Sequence, residues 1–263
     1  MKPGLLFLLF LALPALAITT DVRRLKVRDS HLIFDDRLFS REVVITFAGK
    51  LDPVILPKIL KKLNGEKLKA HFFVTGDEAA ASPDLVHDII FAGHVLGSQG
   101  LSAPADKEKL TTETSLQSEI QMGHEAVFAS NGLIYPFIRL APRQGGIAVR
   151  EMIKESGAFA FYWNIEYFAE DPAQSIRDNL KRERYRGIVA LSLGRKSTLV
   201  ALDALIEEIK KEDLTVITIL PNEESTWLDS PPLIRKTLRE EVEKGGSIYQ
   251  RKHTPVKGWG HEV

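Results

Sequence analysis

From Val43 onward the chain alternates between two hydrophobic periods. Short apolar runs predict strands over Val43 to Phe47, Lys69 to Val74, Val95 to Gly97, Ile138 to Leu140, Ala158 to Ile165, Gly187 to Leu193 and Leu214 to Leu220. Between them apolar residues recur at helical spacing, as in Ile55, Leu56, Ile59, Leu60 and Leu63, in Leu85, Val86, Ile89 and Ile90, and in Leu199, Leu202, Ile206 and Ile209. A run such as Ile188-Val189-Ala190-Leu191 is apolar on both faces, which a parallel strand covered by helices requires. The repeated β-α unit predicts an α/β fold, and seven strands favour a barrel over an open, doubly wound sheet. Pro53 and Pro83 stand where helices begin, and Asn131-Gly132 and Gly245-Gly246 where they end.

The two ends read differently. Lys2, an unbroken apolar run from Leu5 to Leu13 and the small-x-small site Ala15-Leu16-Ala17 predict a cleaved secretory signal over residues 1–17. That run is too short to span a bilayer, and no later segment has the roughly 20 apolar residues a span needs, so the expectation is a soluble, exported protein, periplasmic or extracellular. Residues 18–42 form a polar lead-in whose stretch from Ile33 to Phe39 predicts a hairpin turning at Asp35-Asp36; the barrel is expected over 43–224. Residues 225–263 predict a helix from Pro232 to Lys244 and an aperiodic tail from Ser247 to Val263.

Composition narrows the chemistry. With no cysteine, disulfides, thiolate ligands and a cysteine nucleophile are excluded, and stability must come from a core that 44% hydrophobic content can supply. With 35 basic and 35 acidic residues there is no net charge to favour nucleic acid or an anionic membrane. No phosphate-binding loop and no Gly-x-Ser-x-Gly elbow occurs.

Four segments carry a resemblance. Thr46-Phe47-Ala48-Gly49-Lys50-Leu51-Asp52-Pro53 is followed by Leu56-Pro57-Lys58-Ile59-Leu60-Lys61-Lys62-Leu63, by Ala70-His71-Phe72-Phe73-Val74-Thr75-Gly76, and by Ala92-Gly93-His94-Val95-Leu96-Gly97-Ser98-Gln99-Gly100-Leu101-Ser102-Ala103-Pro104. In order and spacing they resemble the T-F-D-D-G-P, T-P-K-I-L-x-x-L, A-T-F-F-V-x-G and G-H-E-I-G-N-H-T-x-x-H-P segments of the polysaccharide deacetylases, the NodB-homology or carbohydrate esterase family 4 group. The resemblance implies a NodB-like distorted (β/α)7 barrel with an added N-terminal hairpin and a C-terminal helix and tail. In that family the first Asp is the general base, and the second Asp with two His holds a divalent metal, usually zinc. Those positions are Ala48, Gly49, Gln99 and Ala103 here, and Ser192 stands where the I-I-L-L-H strand would place the acid His. Alanine and glycine have no donor atom, a neutral amide is a poor zinc ligand, and a serine hydroxyl does not donate protons near neutral pH. The resemblance therefore implies a degenerate member that has lost its zinc site and catalytic residues.

Other positions persist. Phe137-Ile138-Arg139-Leu140-Ala141 resembles F-R-x-P, and Trp163-Asn164-Ile165-Glu166 resembles W-x-x-D; the resemblance implies that Arg139 and Glu166 pair beside the position of the base. Asp52, His71, Arg139, Trp163 and Glu166 are the candidate ligand-binding residues; Trp163 and Tyr162 can stack on a sugar face, but a large aromatic on a barrel strand is more often core. Phe34-Asp35-Asp36 mimics the first motif but lacks its following glycine and proline and its spacing, and reads as a turn. His71, His87, His94 and His124 show no metal spacing; His94 is expected to be buried and hydrogen-bonded, and a new metal site of His71 with Asp52 or Glu166 would need a further ligand. The leading expectation is a noncatalytic protein whose groove binds a cell-wall polysaccharide or a protein partner. The alternatives are a divergent carbohydrate hydrolase using Asp52, Glu166, Glu170 or Asp171, and a scaffold that presents the hairpin and tail.

Overall fold

In the computed structural model, which describes residues 17–25, 32–33, 38–102, 113–132, 134–139, 151, 153 and 158–221, every strand pairing is parallel. The strands are β1 (Thr20–Leu25), β2 (Leu32–Ile33), β3 (Glu42–Ala48), β4 (His71–Val74), β5 (Val95–Ser98), β6 (Phe137–Ile138), β7 (Phe159–Phe161), β8 (Gly187–Ser192) and β9 (Thr215–Pro221). The helices are α1 (Leu56–Gly65), α2 (Gly76–Ala81), α3 (Pro83–Phe91), α4 (Glu113–Asn131), α5 (Pro172–Arg182) and α6 (Ser197–Lys211). All seven strands expected from the apolar runs are present. β3 to β7 pair in sequence, Ile165 beyond β7 bridges Val189 of β8, and β8 pairs back with β3, so the sheet curls into a distorted barrel.

Strand alternation divides the core in two. Val43, Ile45 and Phe47 of β3, with Phe72 and Val74 of β4 and Val189 and Leu191 of β8, face outward. The helices cover them with stripes such as Leu56, Ile59 and Leu63 of α1 and Ala201, Leu202, Leu205 and Ile209 of α6. The opposite positions, Val44 and Ala48, Phe73, Phe137, Phe159, Phe161, Ile188, Ile217 and Ile219, fill the interior. Both clusters are needed because a parallel sheet is buried on its two faces.

Helix starts follow from short polar side chains and proline. Thr75 accepts the Glu78 N–H ahead of α2, and Asp171 accepts the Gln174 N–H ahead of α5. Pro57 occupies the first turn of α1 and Pro83 that of α3. After α4, Gly132 takes a φ of +80°, the left-handed ending expected for Asn131-Gly132.

The described part of the lead-in contributes two parallel strands: β1, which no apolar run predicted, runs beside β9, and Leu32–Ile33 runs beside Ala160–Phe161 of β7. β1 is held through backbone pairing and through Arg23, which bonds Glu42 at 2.8 Å and lies over the Phe39 ring. The leader over residues 1–16, the Phe34-Asp35-Asp36 turn, Ala103, Leu140, Gly245-Gly246, the Pro232 to Lys244 helix and the tail to Val263 lie outside the described residues.

Candidate functional site

The carboxyl ends of the strands bring the substituted positions together. Ala48 stands opposite Ser192 across β3 and β8 and opposite Phe73 across β3 and β4. Among the described residues, a Cβ placed on Gly49 would lie 3.8 Å from Ser192 Oγ with nothing nearer, so no described residue fills the space above this strand end. Gln99 follows β5, where its buried backbone N–H donates to Val74 O at the end of β4, 2.8 Å away. Arg139 N–H donates to Ser98 O, 2.9 Å, which sets Arg139 beyond the end of β6 beside Gln99. Ala48, Gly49, Gln99 and Ser192 thus share one mouth.

The loop after β5 is locked in place. Gly76 and Asp77 at the start of α2 donate to Gly100 O and Leu101 O at 2.9 Å, and Leu101 N–H donates to Glu119 O at 3.0 Å. Glu119 Oε1 accepts from both the N–H and the hydroxyl of Ser102, at 2.6 and 2.8 Å. α4 approaches so closely that any side chain on Gly123 would overlap the backbone of Gly100 and Leu101. On the other side, Glu78 Oε2 accepts the Leu51 N–H at 2.9 Å and steadies the loop from β3 to α1.

The side chains offered at this mouth do not fit zinc. At the two described ligand positions, Gly49 offers a hydrogen and Gln99 a carboxamide, neither of them the imidazole or carboxylate that a borderline ion prefers. Gly49 also has φ +107°, a conformation costly for any residue with a Cβ, so the backbone itself is shaped around glycine. Among the described residues no group of three or more His, Asp or Glu side chains is arranged to hold a metal ion.

Arg139 is the buried charge of the site. Its Nη1 donates to Thr46 Oγ1 at 3.1 Å, Thr46 in turn donates to Val189 O at 2.8 Å, and Nε has no partner. Burial lowers the guanidinium to about 10, while the charge of Glu166 pulls the other way. The direct Arg139–Glu166 pair expected from the resemblance is not formed. Trp163 intervenes, with its ring 4.0 Å from the guanidinium carbon and its indole N–H donating to Glu166 Oε1. Trp163 therefore belongs to the site and, packed against the interior cluster, to the core as well. Thr46 carried one signal in the sequence: it is the polar residue at an inward position between Val44 and Ala48.

The remaining candidates separate. His71 lies two pairs below Ala48, in register with Thr46, where its Nε2–H donates to Ile219 O at 2.9 Å and Phe137 and Phe161 pack against its ring. Burial pushes it down to about 4, so it is a neutral core residue, and no metal group with Asp52 or Glu166 is assembled. Asp52 is at the mouth, but its Oδ1 accepts the Val54 and Ile55 N–H groups at 2.8 and 2.9 Å; these bonds lower its pKa. Asp171 caps α5, and Glu166 and Glu170 are exposed. His94 is buried and its Nδ1 accepts the Ala70 N–H at 3.3 Å, as expected. Sequence reasoning passed over Lys50, Arg195 and Lys196, exposed cations on the loops that follow β3 and β8; Lys50 and Lys196 both act on Asp52. No helix among the described residues is long and apolar enough to cross a membrane.

Comparison with known proteins agrees with this geometry. Residues 30–140 match the polysaccharide deacetylase family model. A peptidoglycan-N-acetylglucosamine deacetylase of Bacillus cereus is 27% identical over 187 residues, covering 68% of this chain and 66% of that protein. The solved structure of a Bdellovibrio bacteriovorus peptidoglycan deacetylase superposes with a TM-score of 0.72 at 20% identity, over 82% of this chain and 63% of that one. A carbohydrate esterase family 4 pseudoenzyme from Bacillus anthracis superposes with a TM-score of 0.60 at 18% identity, over 71% of this chain and 66% of that one. The chain thus spans just under two thirds of each of these proteins. Segment order, curled parallel sheet and the match over residues 30–140 agree: this chain is similar to the polysaccharide deacetylases of the NodB-homology, carbohydrate esterase family 4 type, and shares their distorted barrel fold.

Proposed function

We propose that this protein is an exported, noncatalytic polysaccharide deacetylase-like protein that uses the mouth of its barrel to bind a cell-wall glycan. The observation that carries the reading is the convergence of Ala48, Gly49, Gln99 and Ser192 at one end of the sheet, where none of these four side chains can hold a metal-bound water or take its proton. Two features favour a glycan as the occupant. The relative from Bacillus cereus is named for an activity on peptidoglycan, and Trp163 offers a half-buried aromatic ring at the mouth. Export rests on the leader-like residues 1–17.

The test uses purified protein and two measurements. Metal analysis should find less than stoichiometric zinc, and incubation with chitin oligomers or peptidoglycan should release no acetate, while insoluble peptidoglycan retains the protein. Stoichiometric zinc together with acetate release overturns the noncatalytic reading, and failure to be retained by peptidoglycan overturns the glycan reading.

A further inference from the structure

Arg139 poses an electrostatic problem that the described residues leave unsolved. It is 7% exposed, yet its side chain has one hydrogen bond, to the neutral Thr46 hydroxyl, and an unpartnered Nε. The carboxylate that most affects it, Glu166, is exposed and reaches it only across the Trp163 ring. Guanidinium groups this buried ordinarily have a carboxylate in contact, because removal from water costs several kcal/mol unless paired. Among the described residues the charge is kept without the pair.

The space beside it suits an incoming anion. Ala48 is two residues beyond Thr46 on the same inward face, so its methyl stands one step, about 6 to 7 Å, nearer the mouth than the hydroxyl that Arg139 contacts. Gly49 beside it adds no bulk, and Ser192 opposite presents a hydroxyl that can donate. Around this opening Lys50, Arg195 and Lys196 are exposed, and Gly194 lies against the Lys50 backbone, so the two basic loops form one wall. The nearest acid on that wall, Asp52, is already engaged by two backbone N–H groups. On the neighbouring loop between β7 and α5, Asp171 is engaged by Gln174 and Glu166 by Trp163, while Glu170 is exposed.

We infer that the mouth is an anion site: a carboxylate of the bound glycan occupies the space above Ala48 and supplies the charge that Arg139 lacks, with Lys50, Arg195 and Lys196 drawing it in. The ligand class is therefore an acidic saccharide, recognised by a carboxylate, rather than a neutral acetamido polymer. This rests on the glycan-binding reading above and narrows it.

Calorimetric titration with soluble peptidoglycan fragments, the same fragments with their carboxylates amidated, and neutral chitotetraose tests it. The free-acid fragments should bind at least about tenfold more tightly than the amidated ones, the value of a charge-assisted pair, and raised salt should narrow the gap. Arg139→Gln should abolish that preference. Because Arg139→Gln can unfold the chain by exposing Thr46 and Trp163, Ala48→Asp is the second variant. An internal carboxylate should raise the melting temperature and remove the preference for free-acid fragments. Equal binding of free and amidated fragments overturns the anion site and leaves the glycan reading standing. Free-acid preference that survives in Ala48→Asp also overturns it. If none of the three probes binds, the glycan reading itself falls.

Discussion

The lower and upper halves of the barrel interior are built from the same strands, yet they obey different constraints. Below, Phe73, Phe137, Phe159 and Phe161 interlock at ring separations of 5.0 to 6.0 Å and are at most 1% exposed. The mouth begins where that packing stops: Ala48 stands opposite Phe73, and at the ends of β3 and β8 the side chains shrink to Ala48, Gly49 and Ser192 around a space that no described residue fills. The lower half sets the fold and the upper half sets the chemistry. Residues at the mouth can vary without disturbing the packed interior, because the free energy of folding lies in the buried aromatic and aliphatic surface rather than at the mouth.

That contrast is broken most directly from below. Phe161 touches Phe73, Phe137 and His71, with ring centroids 5.2, 5.0 and 4.9 Å away. Phe161→Ala should cost about 4 kcal/mol in urea unfolding, from lost burial plus a cavity that β7 and β4 cannot close. A loss near 1 kcal/mol would show that the lower interior is loosely packed and that the division into halves is false.

Acid should strain the molecule through its buried histidines, His71 in the barrel interior, His94 against Phe72 on its outer face and His124 on α4. Burial lowers His71 and His124 to about 4 and His94 to about 3, from an unfolded value of 6.5. Between pH 6.5 and 4 the unfolded chain binds protons that the folded chain does not, so stability is full above 6.5 and falls as pH drops through that window. The loss approaches about 3 kcal/mol for each of His71 and His124. Melting temperature followed from pH 7 to 4.5 should fall steadily, and His71→Gln, which keeps a donor for Ile219 O, should flatten the slope by about one proton. An acid limb unchanged in His71→Gln would mean that His71 is not a buried neutral group. Asp52 titrates below this window and contributes at the mouth, not in the packed layer.

The two halves also differ in how far the sequence discloses them. β3 to β9 were legible because strands buried on both faces must be apolar at every position, a pattern that Ile188 to Leu191 displays without help from context. β1 was not, since Thr20–Leu25 is polar and earns its place through backbone pairing with β9 and the Arg23 contacts, which no local pattern encodes. At the mouth, Ala48 and Gly49 carry no chemical signal of their own and became visible only through their place in a recognisable frame. Within that frame the residue types were readable but their contacts were not. Arg139 and Glu166 were expected to touch, and the rotamer of Trp163, a matter of tertiary packing, separates them.

The smallest effect belongs to the mouth and is the sharpest check on the division. Ser192 is half-buried, and the bond that matters structurally at this residue is made by its backbone: Ser192 O accepts the Thr198 hydroxyl at 2.7 Å at the start of α6. Ser192→Ala keeps that carbonyl, removes one hydroxyl beside open space, and should change unfolding free energy by less than about 0.5 kcal/mol. Paired with Phe161→Ala in the same buffer, it asks whether two inward residues of one barrel differ roughly eightfold in their hold on the fold. Destabilisation by 2 kcal/mol or more would mean that the hydroxyl satisfies a buried network, and that the upper half is a second core rather than an emptied site. A near-neutral result leaves the residue free to be read through ligand affinity alone, because stability would then report nothing about it.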